Sequence, residues 1–269
     1  MVFLSTLSSD LREMLTEQIE YRELLVQMTL RDLLLRYKQT IMGFGWAVFM
    51  PLVNTAVFSV IFTKVAPTPT PVAYPLFAYC GLWAWNFFAS SLRFSVTSLT
   101  SNTNLVTKVY FPREIFPFAN VLVCLVDFAV GASVLVALML WYQIPITFNV
   151  LWLPVVLLVQ LAFTCAISLF VSMGNLFYRD VKYLFEVVIT VWMFASSVLY
   201  PIDDRIGGVL HTILVLNPMT PIIDSYRAVL LLGQPPVPGF AIASVASLCV
   251  LVLAWLTFHR SEFRFAESI

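Results

Sequence analysis

The sequence predicts an all-α protein that crosses a membrane several times. Three observations support this prediction: 60% of the 269 residues are hydrophobic, only 11% are charged, and the apolar residues lie in long stretches that contain little charge. Soluble domains contain roughly 45–50% apolar and about 25% charged residues. Because one helical crossing takes about 20 apolar residues, the length allows six crossings with loops between them.

We predict that residues 1–40 form an amphipathic interface helix on the cytoplasmic surface of the membrane. At helical spacing, one face is apolar, with Leu7, Leu11, Met14, Leu15 and Ile19. The other face is charged, with Arg12, Glu13, Glu17 and Glu20, and this pattern is typical of a helix at a membrane interface. The pattern changes phase near Tyr21, which fits either two short helices or one bent helix.

Residues 41–269 predict a transmembrane domain of six helices. The predicted spans are 41–63, 74–93, 115–142, 150–175, 183–200 and 237–258. Pro51 interrupts the first span, which a membrane helix tolerates where neighbours satisfy the freed carbonyl. Asp127 lies deep in the third span and Glu186 nearer the end of the fifth. A proton site and a paired buried aspartate are equally compatible with Asp127.

Residues 202–236 predict an external re-entrant helical hairpin between the fifth and sixth spans. Two apolar, helix-like segments flank the turn-forming pair Asn217-Pro218. Each segment is shorter than about 17 residues, so neither can cross the bilayer alone. The polar edge of this hairpin would carry Asp203, Asp204 and Arg205.

The distribution of Lys and Arg predicts that both termini are cytoplasmic. Of the 15 basic residues, 12 lie on the side of the N-terminus, and the remaining three are Lys64, Arg205 and Arg227. The hairpin would then face outside. The formal net charge of zero provides no basic surface for nucleic acid.

The sequence contains no motif that indicates catalysis or a bound cofactor. None of the nine glycines precedes a lysine, which excludes a phosphate-binding loop of the G-x-x-x-x-G-K-[ST] type. His211 and His259 have no metal-ligating companion at helical spacing. The cysteines occur singly in apolar stretches, at positions 80, 124, 165 and 249. We therefore predict neither an enzyme nor a metal site.

A dense run of aromatic residues occupies the second predicted span. It covers about four helical turns, which is deeper than an aromatic belt at the headgroups requires. Aromatic rings also stack on the apolar faces of sugars, so the run suits a path for a polysaccharide. Contact with lipid or with other helices explains part of the set equally well. The candidate channel residues are Tyr74, Phe77, Tyr79, Trp83, Trp85, Phe87 and Phe88.

Four stretches resemble the membrane (permease) subunit of type-2 ABC transporters, in particular those that export O-antigen, teichoic acid and related lipid-linked polysaccharides. They follow the family's order over most of the chain and are Leu30–Leu52, Asn104–Leu122, Asn175–Ile202 and Leu216–Gly233. The resemblance implies a homodimer in the bacterial cytoplasmic (inner) membrane, with the channel at its interface. It also implies that two copies of a separate ATPase bind ATP and Mg, so that this chain itself holds no cofactor.

The resemblance further implies roles for particular residues. Residues 102–113 would form a coupling helix that contacts the ATPase through Lys108, Tyr110, Phe111, Pro112 and Arg113. Further ATPase contacts would come from the interface helix and the second cytoplasmic loop, through Arg31, Asp32, Arg36, Tyr37, Lys38, Arg179 and Asp180. An outer gate would contain Asp203, Asp204, Arg205, Asp224 and Arg227. Alternatively, Lys108 and Arg113 anchor the third span to anionic headgroups.

Two other functions remain compatible with the sequence. A type-2 exporter of drugs or lipids would share the fold, the ATPase and the hairpin. A membrane-embedded enzyme or scaffold that acts on lipid-linked glycans is the other alternative. The sequence shows no clustered acid pair and no group of histidines near a membrane face, which argues against catalysis.

Overall fold

The computed structural model describes residues 2–38, 40–43, 45–67, 69–108, 111–201 and 216–265. Within these ranges the chain forms helices and turns and no strand, which confirms the all-α prediction. The α-helices, numbered in chain order, are α1 Val2–Glu20, α2 Arg22–Tyr37, α3 Gly45–Val60, α4 Tyr74–Val96, α5 Ser98–Ser101, α6 Thr103–Lys108, α7 Ile115–Trp141, α8 Leu153–Phe177, α9 Val181–Phe194, α10 Met219–Leu230 and α11 Gly239–Ser261. A π-helical turn extends α3, and 3₁₀ turns precede α8 and follow α11; they are Ile61–Val65, Phe148–Trp152 and Glu262–Arg264.

Among the described residues, four helical stretches are long and apolar enough to cross a membrane. They are Gly45–Val65, Ile115–Trp141, Phe148–Phe177 and Gly239–Ser261, and they coincide with the first, third, fourth and sixth predicted spans. The second predicted span corresponds to α4, which has 23 residues, contains Arg93 and buries most of its side chains in the protein. The fifth corresponds to α9, which ends at Phe194 after 14 residues. A 14-residue helix is shorter than the roughly 20 residues of a full crossing.

Helix α4 lies at the centre of the bundle, where it packs against α3, α7, α8 and α10. Tyr79, Phe88 and Leu92 are completely buried. Lipid is as apolar as a protein core, so close packing and hydrogen bonds hold such helices together. The Gln160 amide of α8 provides two of these bonds: its Nε2 donates to the Ala84 carbonyl at 2.7 Å, and its Oε1 accepts from the Tyr226 hydroxyl at 2.8 Å.

The N-terminal region forms two helices that meet at Tyr21, the position at which the sequence pattern changes phase. Helix α2 packs along the first half of α7, and Arg260 binds Asp10 at 2.7 Å to join α11 to α1. One end of the bundle thus combines residues 10–37, 97–108, 111–113, 177–182 and 259–265, and we call it the basal end. The location of residues 1–40 on a membrane surface stays a prediction.

The opposite, distal end contains the turns that follow α3, α7, α9 and α10. Gly233 adopts a φ of +62°, and its carbonyl accepts a hydrogen bond from Asn149 Nδ2 at 2.6 Å. A Cβ at position 233 would approach Thr147 Cγ2 to 2.7 Å, so a larger residue would be strained here in both backbone and packing. Residues 202–215 lie outside the described ranges, and α10 has only 12 residues. The re-entrant hairpin over 202–236 therefore stays a prediction.

Candidate functional site

A cavity of about 340 Å³ lies between α3, α4 and α7, in the middle of the bundle. Its wall combines aromatic rings with amides, a hydroxyl and charged groups. The lining residues are Trp46, Ala47, Met50, Pro51, Asn54, Trp83, Asn86, Phe87, Ser90, Arg93, Cys124, Asp127, Phe128 and Gly131. Most of α3 is unburied in the single chain, with Trp46 40% exposed and Met50 52% exposed. The cavity is therefore closed on one side by a helix that packs loosely on the rest of the protein.

Asp127 stands at the inner edge of this cavity and is paired with two side chains of α2. Arg36 Nη1 contacts Asp127 Oδ2 at 2.6 Å, and the Tyr37 hydroxyl donates a hydrogen bond to Asp127 Oδ1. The Arg36 guanidinium also lies 3.8 Å from the centroid of the Phe94 ring. Burial and the hydrogen bond to Asp127 raise the pKa of Tyr37 above its ordinary range, so this hydroxyl stays protonated. Of the two interpretations left open by the sequence, the geometry favours a paired aspartate.

The seven aromatic residues predicted to line a channel are all buried inside the single chain, each at most 5% exposed. Trp83 and Phe87 border the cavity. Trp83 stacks on Phe128 with the ring centroids 3.9 Å apart, and its indole N–H donates to the Phe128 carbonyl at 2.8 Å. The remaining five are Tyr74, Phe77, Tyr79, Trp85 and Phe88, which pack in the core around α4. The channel assignment stays a prediction. Within one chain, only Trp83 and Phe87 could contact a molecule in this cavity.

Asp224 and Arg227, predicted for an outer gate, lie on α10. The contacts of Arg227 join this helix to α4 and to the turn after α9, and we call them the Arg227 lock. Arg227 has a 5% exposed side chain and contacts Asp224 at 3.1 Å. It donates to the carbonyls of Ser197, Val198 and Phe77, and its guanidinium lies 3.6 Å from the centroid of the Phe77 ring. Gly81 allows this arrangement, because a Cβ there would collide with Arg227 Nη2 and the Val198 carbonyl. The other three gate candidates, Asp203, Asp204 and Arg205, lie outside the described residues.

The predicted coupling helix over 102–113 is only partly helical in the structure. Helix α6 covers Thr103–Lys108, and Tyr110 lies outside the described residues. Lys108 is exposed, whereas Phe111 and Pro112 are buried. Arg113 contacts Glu262 at 3.4 Å and donates to its carbonyl at 2.9 Å. Burial, together with the charge of Glu114, raises the pKa of Glu262 to about 7. Arg113 thus fixes this segment to the C-terminal turn.

The other candidate ATPase contacts fall into two groups at the basal end. Arg31, Asp32, Arg36 and Tyr37 bind residues of the chain itself: Arg31 contacts Asp32 at 2.8 Å and Asn102 Oδ1 at 3.3 Å, and Arg36 and Tyr37 bind Asp127. Lys38, Arg179 and Asp180 are exposed. Arg179 also lines a second cavity, of about 320 Å³, together with Thr97, Thr100, Thr103, Asn175, Leu176 and Lys182. Among the described residues, the exposed candidates for contact with another protein are therefore Lys38, Lys108, Arg179 and Asp180.

Several cavity residues were not identified from the sequence, notably Trp46, Asn54, Asn86 and Ser90. Asn54 and Asn86 are amides inside otherwise apolar spans, and such residues in membrane helices commonly face the protein interior. This pattern would have indicated both positions. By contrast, no local pattern relates Arg36 and Tyr37 to Asp127, because the partners are some 90 residues apart.

Residues 23–231 match the family model described as ABC-2 type transporter. The chain is 32% identical over 256 residues to an O-antigen export system permease protein RfbA of Myxococcus xanthus, which covers 94% of this chain and 98% of the relative. Two Klebsiella pneumoniae proteins of the same description are 30% and 29% identical over 248 residues, or 92% of this chain and 95% of each relative.

Proposed function

The chain belongs to the ABC-2 type transporter family, and from this premise we propose that it is the transmembrane subunit of an ATP-driven exporter of lipid-linked polysaccharide of the O-antigen type. The observation that carries the proposal is the similarity to O-antigen export permeases along nearly the whole length of both chains. The four long apolar helices agree with a multi-pass membrane protein.

The polymer would pass between two copies of the chain. Helices α3 and α9 each leave an apolar face unburied in the single chain, including Phe49 and Val57 on α3 and Val187 and Val191 on α9. A second copy and lipid would cover these faces. In this homodimer each chain would cross the membrane six times. The two crossings besides the four long apolar helices would be α4 and α9, the latter together with the turns that follow it.

The cavity beside α3 would form part of the polymer path. Its rings can stack on the apolar faces of sugars, and its amides, Asn54 and Asn86, can exchange hydrogen bonds with sugar hydroxyls. A lining of this kind favours sugars without fixing one orientation, which suits a polymer that has to slide. The five candidate aromatics that do not border the cavity would support its wall from behind.

The ATPase would bind at the basal end, and both termini would then be cytoplasmic. The exposed residues Lys38, Lys108, Arg179 and Asp180 are suited to contact it. Movement of the 102–113 segment would then reach the cavity through the second half of α2, because Arg31 binds Asn102 and Arg36, little more than one turn further along the helix, binds Asp127. These contacts form a continuous physical connection between the 102–113 segment and the cavity, through which the two can be coupled.

The gate would use the second arm of the predicted hairpin. The Arg227 lock holds α10 rigidly against α4 and the turn after α9. The other three gate candidates, Asp203, Asp204 and Arg205, lie outside the described residues. The apolar side chains of Leu15 and Ile19, exposed on α1, would lie against the headgroups at the other face of the membrane.

Deletion of the gene in its host tests the proposal. We expect surface polysaccharide to disappear and lipid-linked polymer to accumulate inside the cell, and complementation with the wild-type chain should reverse both effects. Normal surface polysaccharide in the deletion strain would contradict an O-antigen type substrate. Loss of drug resistance or of a membrane lipid instead would favour the drug or lipid exporter.

A further inference from the structure

Three metal-ligating side chains from distant parts of the sequence meet at the basal end. Glu17 lies on α1, Glu114 directly precedes α7, and His259 lies near the end of α11. One carboxylate oxygen of each glutamate and one ring nitrogen of His259 lie within 4.8 Å of one another. The three residues therefore form a compact cluster that no spacing in the sequence indicates.

Each residue of this cluster has one buried polar atom that lacks a hydrogen-bond partner among the described residues. Glu114 is fully buried; its Oε1 accepts a hydrogen bond from Trp255 Nε1 at 3.0 Å, and its Oε2 has no partner. Glu17 Oε2 and His259 Nδ1 are likewise unpaired, and they are 4.0 Å apart, too far for a hydrogen bond. Buried polar atoms are nearly always satisfied in proteins. Three that converge on one point indicate a ligand-binding site.

The charge of the cluster indicates that this ligand is a cation. Two carboxylates and a neutral imidazole carry a formal charge of −2, and the nearby Arg113 is already bound to Glu262. The side chains of Glu17 and His259 keep 22% and 16% of their surface exposed, which leaves a route from solvent. A divalent cation would neutralise the two carboxylates and occupy all three free atoms.

We propose that Glu17, Glu114 and His259 bind a divalent first-row transition metal ion of the Zn²⁺ type. Imidazole nitrogen with carboxylate oxygens is a ligand set for such ions, whereas Mg²⁺ and Ca²⁺ prefer oxygen alone. Ligand atoms on a tetrahedral Zn²⁺ lie about 3.4 Å apart, since each is about 2.1 Å from the ion, so binding would draw the three side chains together. The ion would fasten α1 to α7 and α11 beside Arg113, and water would complete its coordination. This site is independent of the proposed substrate.

The test uses the full chain, purified in detergent, stripped of metal by a chelator and titrated with Zn²⁺. We expect one Zn²⁺ per chain by calorimetry and by elemental analysis, with a rise in Tm on binding. Glu114→Gln and His259→Gln should each weaken Zn²⁺ binding by about tenfold or more, since even changes in the surroundings of a ligand cost about 10–100-fold. Mg²⁺ should bind far more weakly than Zn²⁺.

Two variants serve as controls. Glu20→Gln changes an exposed glutamate on the same helix as Glu17 and should leave Zn²⁺ binding unchanged. If Glu114→Gln fails to fold, Glu17→Gln provides the same test at a partly exposed position. The proposal is wrong if the wild-type chain binds no stoichiometric Zn²⁺. It is equally wrong if the ligand variants bind Zn²⁺ as tightly as the wild type, which would assign the ion to another group such as the exposed Cys249.

Discussion

At the scale of single residues, Asp127 shows how a charge is accommodated inside an apolar helix. A charge in the hydrocarbon region costs at least about 2.5–3.5 kcal/mol on the insertion scale. Here the carboxylate is bound by a guanidinium and a hydroxyl, and only 23% of its side chain is exposed. The same contact ties the end of α2 to the middle of α7. Asp127 thus has a structural role that also connects the basal end with the cavity.

We predict that Asp127 and Arg36 are more sensitive to single than to paired replacement. Asp127→Asn leaves Arg36 without a counter-ion and should cost about 3 kcal/mol of unfolding free energy, the low end for a buried pair, because both side chains keep some exposure. The double variant Arg36→Gln with Asp127→Asn should recover most of that loss, as measured by thermal unfolding in detergent. Arg93→Gln breaks an exposed pair with Glu186 and should cost at most about 1 kcal/mol. A double variant no more stable than the single one would contradict this account.

A second prediction concerns the close contact between Gly81 and Arg227. Gly81→Ala places a methyl group against the guanidinium and the Val198 carbonyl, both held by other bonds, so it should lower stability by about 1–3 kcal/mol. Gly174→Ala is the matched control within a helix. A Cβ there would meet only Val181 at 3.6 Å, and stability should rise by about 0.5–1 kcal/mol. Equal Tm values for the two variants would show that the lock is unimportant.

Residue roles were only partly predictable from the sequence. Asp127 stood out because it is a charge inside an apolar stretch. Arg36 and Tyr37 could not be recognised as its partners, because they belong to another helix. The same holds for Glu114 and His259, which come together only in the folded chain, where Glu114 lies against Trp255 of α11. Helical periodicity indicates which residues share a face; it carries no information on which helix that face meets.

At the scale of helices, α4 combines the aromatic run with the centre of the bundle. The sequence placed these aromatics at membrane depth, but it could not orient them, because rings occur on every side of the helix. A helix that is apolar all round can face either lipid or other helices, and here 18 residues of α4 are buried inside the protein. Only one stripe of α4 reaches the cavity, and it consists of Trp83, Asn86, Phe87, Ser90 and Arg93. The polar members of this stripe therefore offer a better test of the path than the core rings do.

We predict that Asn54→Leu and Asn86→Leu reduce polysaccharide export with little change in stability. Both residues line the cavity, Asn54 from α3 and Asn86 from α4, and leucine removes their amide groups without creating a void. The measurements are surface polysaccharide and Tm in parallel. Trp83→Ala is the contrasting case, since it deletes the stack on Phe128 and should cost about 3–5 kcal/mol. Normal export by both asparagine variants would exclude this cavity from the path.

The loops at the basal end carry a further prediction. Lys108→Glu and Arg179→Glu should weaken binding of the ATPase, more strongly at low salt, because they reverse charges that are exposed and not required by the fold. Lys64→Glu reverses an equally exposed charge at the distal end and should have no effect on ATPase binding. Co-purification at two salt concentrations provides the readout. Unchanged recovery of the ATPase with both basal variants would place its contact elsewhere.

At the scale of the whole molecule, composition and charge distribution determine the class of protein. Apolar stretches of hydrocarbon length can be recognised without knowing their contacts, so the spans at residues 45–65, 115–141, 148–177 and 239–261 were predictable. The extent of α9 was not, because the apolar residues continue to Tyr200 while the helix ends at Phe194 and turns follow. The turn after α9 is held by Asn217 and Arg227, which lie more than 20 residues further along the chain, and local sequence does not record such long-range bonds.

The most direct test of the central claim is transport by the reconstituted complex. The chain should be purified with the ATPase that co-purifies with it, placed in proteoliposomes and supplied with lipid-linked polysaccharide on the face that binds the ATPase. We expect polymer to appear on the opposite face only with ATP and Mg, and only when both proteins are present. Translocation without the ATPase, or ATP hydrolysis with no movement of polymer, would contradict the account.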